Sequence, residues 1–217
     1  MIAKHERPPM QPGLSADALA TLLIERFSLV RDARDQWDLT LLVPSHRIAE
    51  VAAYLRDDER LQFAQLIDIA GIDYLSYPNH RGPRFAVIYN FKSVTFSHRL
   101  KLKIEVEEDA LEVPSIHALF KIANWLEREV FDQYGLVFVG HPNPKRLLNH
   151  HEFVGHPLRK DYPCQKRQKL SVNDPLIDQL ENRLVERGYH VIDRGQMNQA
   201  GPISFNDSTG SKPVAGK

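Results

Sequence analysis

SIHALFKIANWLEREVFDQYGLVFVGHPNPKRLLNHHEFVGHPLRKDYP, residues 115 to 163, is the stretch whose reading decides the fold. Its first part, Ile116 to Tyr134, reads as one helix. Pro114 closes the segment before it, Ser115 is placed to cap free backbone amides, and Gly135 suits a left-handed stop. At about 100° per residue, Leu119, Ala123, Leu126, Val130 and Tyr134 share a narrow arc, widened by Ile116, Phe120, Ile122 and Phe131. That face is expected to be buried.

Glu127 is the informative residue, because the same wheel sets it inside the apolar arc, whereas Arg128, Asp132, Lys121 and His117 point the other way. A buried carboxylate needs a partner or a shifted pKa. Arginine offers the best fork of donors, and Arg146 and Arg159 follow in the chain. The expectation is that residues 140–163 fold back over the helix with Glu127 ion-paired beneath them. The alternative places Glu127 at the core edge with its head in water.

The second part, Gly140 to Pro163, is interrupted by Pro142, Pro144, Pro157 and Pro163, which excludes a long helix or a central strand. Two Gly-His-Pro triplets bracket a basic patch. The second, with His156, runs on as Leu158-Arg159-Lys160-Asp161-Tyr162-Pro163. A rigid, extended, charged segment of this kind suits docking.

The run ANWLEREVFDQYG followed by GHP, KRLL and GHPLRKDYP resembles the signature of the C-subunit family of proton-pumping NADH:quinone oxidoreductase, respiratory complex I. Weaker upstream likenesses are Tyr54 to Asp58, Asp68 to Tyr74 and Arg84 to Tyr89. The resemblance covers roughly residues 15 to 165. It departs after Arg146-Leu147-Leu148, where relatives carry Met-Pro and acidic residues and this chain has Asn149, His150 and His151.

Composition bounds the remaining choices. The chain of 217 residues forms one large or two small domains. Lys plus Arg and Asp plus Glu both number 28, so no global field favours nucleic acid or an acidic membrane. No run reaches the roughly 18 apolar residues of a membrane span. Cys164 is the single cysteine, which excludes an internal disulfide and a self-contained iron–sulfur site. The Pro-rich start lacks a signal core or transit-peptide character, and is expected to be a mature cytoplasmic terminus.

Upstream, Ser15 to Phe27 has Ala18, Leu19, Leu22, Leu23 and Phe27 at helical spacing. Trp37, Leu39, Leu41 and Val43 alternate as a strand. Pro44-Ser45 opens a helix through Arg56, with Ile48, Val51, Ala52 and Leu55 inward. Leu66 to Tyr74 reads as a strand or strand pair broken at Gly71. Arg84 to Phe91 is a nearly continuous apolar strand, buried on both faces. Arg99 to Glu107 alternates, its Lys101, Lys103, Glu105 and Glu107 face meeting water or a charged partner. The order predicts an α+β fold, a small mostly antiparallel sheet covered by helices with an extended Pro-rich C-terminal arm. The expected division is a flexible start (1–14), an α+β domain (15–139), a docking arm (140–194) and a disordered tail (195–217). A short helix in the arm starts with Asp174 as cap and Pro175 first, carries Leu176, Ile177, Leu180 and Leu184, and ends at Gly188.

Other constellations invite chemistry. His141, His150, His151, His156 and Cys164 offer zinc-ligand types, but their spacing fits no compact motif. Glu127, Glu129 and Asp132 point in three directions around the helix, against a shared acid–base site. Arg159, Lys160, Lys166, Arg167 and Lys169 lack the glycine cradle or aromatic platform that phosphate or nucleic acid needs. Glu127, Arg128, Glu129, Asp132, Arg146, His156, Arg159, Lys160 and Asp161 are therefore assigned to structural ion pairing or partner docking.

The resemblance implies a cofactor-free scaffold in the hydrophilic arm of a membrane-bound NADH:quinone oxidoreductase, with flavin, iron–sulfur clusters and quinone in partner subunits. It implies contacts with the quinone-site and adjacent iron–sulfur subunits, no membrane span of its own, and a place on the cytoplasmic side of a bacterial inner membrane. The alternatives are the equivalent scaffold of a membrane-bound hydrogenase or other quinone reductase, and a self-sufficient metal-dependent enzyme.

Overall fold

The computed structural model describes residues 13–163, 165, 168 and 175–189. Two compact units meet in sequence between residues 164 and 165. The first contains α1 (Ala16–Phe27), β1 (Val30–Arg31), β2 (Thr40–Leu42), α2 (Ile48–Asp57), β3 (Gln65–Asp73), β4 (Phe85–Lys92), β5 (Arg99–Val106), β6 (Glu112–Pro114), α3 (Ala123–Tyr134) and β7 (Val137–Val139). Five strands form one sheet in the order β1-β2-β5-β4-β3. Every neighbour in it is antiparallel except β2 and β5. The short strands β6 and β7 pair in parallel beside it. The fold is α+β with a mostly antiparallel sheet and helices, as the sequence predicts.

Sequence periodicity accounts for most of these elements. Ser15 caps α1, its hydroxyl accepting from the Ala18 N–H, and Leu19, Leu23 and Phe27 go inward. A 3-10 turn over Ser45–Arg47 leads into α2, whose Ile48, Val51, Ala52 and Leu55 are all buried. These meet one face of the interior strands, where Val87, Tyr89 and Phe91 of β4 lie beside Leu100, Leu102 and Ile104 of β5 in the same core.

Three local expectations are corrected. Trp37 is 94% exposed and lies before β2, because the Asp35 carboxylate accepts from both the Trp37 and Asp38 N–H groups and holds a turn there. Gly71 does not break β3. It pairs with Val87 in mid-strand, and the ladder irregularity lies earlier, between Leu66 and Asp68. The expectation for the charged face of β5 holds at Lys103, which has the charged partner and not water: its ammonium is buried 3.2 Å from the Asp32 carboxylate, which the loop after β1 brings over that face. Residues 116–122 form separate turns, the Ile116 carbonyl accepting from the Leu119 and Phe120 N–H groups, and α3 begins only at Ala123.

The second unit contains α4 (Pro175–Glu186), which starts on the expected proline. Gly188, at φ 81°, follows its end, and the Gly188 and Tyr189 N–H groups return to the Val185 and Leu184 carbonyls. The proposed cap Asp174, Cys164, the start up to residue 12 and the tail beyond residue 189 lie outside the described residues.

Gly71 has a packing reason. A Cβ there would stand 2.5 Å from the Tyr134 ring, so the end of α3 approaches β3 only because this residue has no side chain. Gly71→Ala is expected to destabilise the fold by about 1 to 3 kcal/mol. An unchanged urea midpoint in the variant would show that Tyr134 moves aside freely.

Candidate functional site

The motif-bearing residues converge where α3 meets the segment after β7. Gly135, at φ 78°, ends α3 in the left-handed conformation and sends the chain through β7. Beyond Gly140 the chain returns across α3. His141 Nε2 lies 3.0 Å from the Asn124 carbonyl, and its Nδ1 accepts from the Asn143 N–H, which assigns the ring proton to Nε2. Arg128 grips the returning chain, donating to the Lys145 and Arg146 carbonyls at 2.8 Å each. The fold-back expected for residues 140–163 is present.

Its centre is Asp132. The carboxylate is fully buried and takes five donors: Arg146 Nη1 at 2.6 Å and Asn149 Nδ2 at 3.1 Å on Oδ1, with the Leu147, Leu148 and Asn149 N–H groups at 3.1, 2.8 and 2.8 Å on Oδ2. Three successive amides on one oxygen form a concave anion seat. Burial alone would raise the carboxyl pKa, but the Asn149 amide, Arg146 and the other donors outweigh it and hold the group below its ordinary value. Arg146 also donates to the Gly155 carbonyl at 2.9 Å, and His156 Nδ1 lies 3.0 Å from the Asp132 carbonyl oxygen. Burial lowers the His156 pKa, which favours a neutral ring donating from Nδ1.

This corrects the expected partner of Glu127. The carboxylate is fully buried, but neither Arg146 nor Arg159 reaches it. It accepts from the Ile116 N–H at 2.8 Å and the Ser115 hydroxyl at 2.5 Å, tying the start of the 116–122 turns to α3. Arg146 goes instead to Asp132, which the wheel placed on the solvent side. Burial raises the Glu127 pKa, with the Ser115 and Ile116 donors opposing. Among the described residues the Tyr89 hydroxyl is buried without a hydrogen-bond partner, and burial, followed by the Glu127 charge, drives its pKa well up.

A second knot joins the Leu158–Asp161 run to the sheet. Leu158 N–H donates to the Gln133 carbonyl, and Arg159 Nε to that of Tyr134 at 2.6 Å. The Lys160 N–H donates at 2.8 Å to Asp73, the last residue of β3. Asp73 is fully buried and receives Arg84, at the head of β4, through Nε at 3.1 Å and Nη2 at 3.0 Å. Arg84 Nη2 reaches Asp161 at 2.9 Å, and its Nη1 also bonds Glu108. The Arg84 and Arg159 guanidiniums lie 4.7 and 5.1 Å from the Phe85 ring centroid. Sequence reading assigned no role to Asp73 or Arg84. The available signal was an isolated aspartate ending one strand and an arginine opening the next.

Of the nine residues assigned from sequence, Arg128, Asp132, Arg146, His156, Arg159, Lys160 and Asp161 join in holding the returning segment. Glu127 holds the opposite end of α3, and Glu129 is exposed. His141, His150 and His156 engage separate backbone groups. Among the described residues no three His, Cys, Asp or Glu side chains stand together as a metal site. Cys164, Lys166, Arg167 and Lys169 lie outside the described residues.

Residues 41–168 match the family model for the respiratory-chain NADH dehydrogenase, 30 Kd subunit. Among curated proteins, the C subunit of NADH-quinone oxidoreductase from Burkholderia vietnamiensis (strain G4 / LMG 22486) is 50% identical over 129 residues, covering 58% of this chain and 64% of that one. The protein of the same description from Burkholderia mallei (strain SAVP1) is 44% identical over 153 residues, covering 69% and 75%. The match spans slightly less than two thirds of the first relative's length. Among solved structures, the trypsin-resistant fragment (1-134) of Nqo5 superposes with TM-score 0.54 at 30% identity, covering 59% of this chain and 99% of that one. A chain of an archaeal membrane-bound sulfane sulfur reductase shares the fold at TM-score 0.55 and 20% identity, covering 82% and 93%.

The two buried carboxylates of α3 carry opposite pH signatures. Asp132, its folded pKa depressed, contributes stability that is full above the unfolded value of about 3.9 and is lost as pH falls through the folded value. Asp132→Asn is expected to cost about 3 to 5 kcal/mol at neutral pH by leaving Arg146 uncompensated. That gap from wild type narrows in denaturation curves taken below about pH 4. For Glu127, its folded pKa raised, stability falls as pH rises from about 4.3 through the folded value. Wild type should therefore gain stability relative to Glu127→Gln on acidification over that window, and a gap independent of pH would refute the assignment.

Proposed function

Because the chain belongs to the respiratory-chain NADH dehydrogenase 30 Kd subunit family, we propose that it is a cofactor-free scaffold of the hydrophilic arm of a membrane-bound, proton-pumping NADH:quinone oxidoreductase. It supports electron transfer from NADH through flavin and iron–sulfur centres to quinone, those groups being held by partner subunits. Its neighbours are the quinone-site subunit and the adjacent iron–sulfur subunits, on the cytoplasmic side of a bacterial inner membrane. No described helix is long and apolar enough to cross a membrane, which accords with peripheral attachment.

The observation that carries a structural role is where the charges of the motif go. Asp132, Arg146, Asp73, Arg84 and Arg159 each bond another part of the same chain. An acid–base catalyst needs its titrating atom within reach of substrate, whereas these atoms are engaged in holding α3, β3, β4 and residues 146–161 in one rigid body. Rigidity is what such a scaffold supplies, because electron transfer between neighbouring centres depends on their separation.

The test is to tag the N-terminus, extract host membranes in mild detergent, purify on the tag and assay the eluate for NADH oxidation, flavin and iron. The expected result is a large assembly with all three. Recovery of the chain alone with stoichiometric metal would overturn the reading in favour of a self-sufficient metalloenzyme.

A further inference from the structure

Strand β3 is an edge of the five-stranded sheet. The Tyr74 N–H donates to the Arg84 carbonyl of the neighbouring strand, and antiparallel pairing alternates hydrogen-bonded and non-hydrogen-bonded partners. Counting back two residues at a time, Ile72 and Ala70 face β4. The main-chain groups of Ile69 and Gly71 therefore point away from the sheet, and no described residue bonds them. A row of such groups is a template for another strand.

This edge is not bare. It opens into a groove of about 130 Å³ shared with the side of α3, bounded by Asp68, Glu129, Gln133, Tyr134 and Leu158. That volume is room for roughly four waters, the scale of one long side chain. Among the described residues, Asp68 and Glu129 are the only charged groups lining the groove, and neither has a basic partner there. Gln133 lines it too. Its residue is 92% buried by its 8% exposure, and among the described residues its carboxamide has no hydrogen-bond partner. The amide atoms of this side chain reach solvent at the groove, where they match the donor and acceptor of a passing peptide unit.

We propose that the free edge of β3, with Asp68, Glu129 and Gln133 around it, is a docking site for an extended, cationic segment of a neighbouring protein chain. The incoming strand bonds the main-chain groups of Ile69 and Gly71, presents a peptide unit to Gln133, and places a lysine or arginine between the two carboxylates. The charge selects the partner. Asp68 beside the irregularity at Ile67 disfavours pairing with a second copy of β3, and the same negative charge attracts a basic strand. The identity of the partner as a neighbouring subunit rests on the scaffold reading above; the chemistry of the groove does not.

The test uses the isolated full-length chain, labelled with nitrogen-15, and two synthetic peptides, one alternating lysine with valine and one alternating glutamate with valine. The lysine peptide is expected to shift the amide signals of Ile69 and Gly71 and the side-chain amide of Gln133, and the glutamate peptide to leave them unmoved. The Asp68→Asn, Glu129→Gln pair should weaken the lysine peptide about tenfold, with unchanged melting because neither carboxylate is paired. Equal binding of both peptides, shifts that bypass Ile69 and Gly71, or full affinity in the double variant would overturn the proposal. Failure here leaves the membrane co-purification untouched, and failure of the co-purification leaves these shifts in place, so the two readings fall separately.

Discussion

Everything in the C-terminal half of the first unit depends on how one buried charge is solvated. Asp132 sits on α3 with its carboxylate shut off from solvent, and an isolated ion in that position would cost several kcal/mol, a large part of the stability of a domain. What makes it tolerable is a stretch of chain that arrives 14 to 17 residues later with a guanidinium, three amides and a carboxamide. The dependence is mutual. The irregular backbone from Arg146 to Asn149 has no ladder of its own, and the carboxylate is where its amides find an acceptor. A proline-broken segment thereby acquires a fixed conformation without secondary structure.

The same solution recurs at Asp73, where a bidentate arginine and two amides surround a carboxylate at the end of β3. Between the two sites, α3, two strands and the Leu158–Asp161 run are linked by charges that are satisfied inside the chain. Glu127 is handled differently. With one amide and one hydroxyl as close donors, it is the least compensated of the three, and burial governs its proton affinity. One helix therefore carries a carboxylate kept as an anion and another pushed toward its neutral form, a contrast set by the number of donors.

Local pattern made the sheet and helices legible, because amphipathic periodicity records which side of an element meets the core. It located the inward residues of α2 and β5, three of the four in α1, and the unusual burial of Glu127. It misplaced Asp132 because a helical wheel treats the side opposite the core as solvent, and here later chain covers it. It read Gly71 as a break because glycine weakens a strand in isolation, whereas the cause was a tyrosine 63 positions onward lying against it. The alternation through Trp37 failed for a local reason, an aspartate side chain satisfying two amides that a ladder would otherwise have used. Family resemblance singled out Leu158 to Pro163 as a unit, but not that its anchor would be Asp73.

The bond from Lys160 to Asp73 spans 87 residues, and that separation has a meaning during synthesis. At ribosomal rates of about 5 to 20 residues per second, roughly 4 to 17 s pass between the appearance of the aspartate and that of the amide which completes its shell. Strands β4 and β5 are made in the meantime. The nascent sheet therefore forms around an Asp73 held by Arg84 and the Leu75 amide, with water in the place that the Lys160 amide later takes. The final lock arrives only when the motif emerges, which makes this segment the last step of maturation for the first unit as well as its clasp.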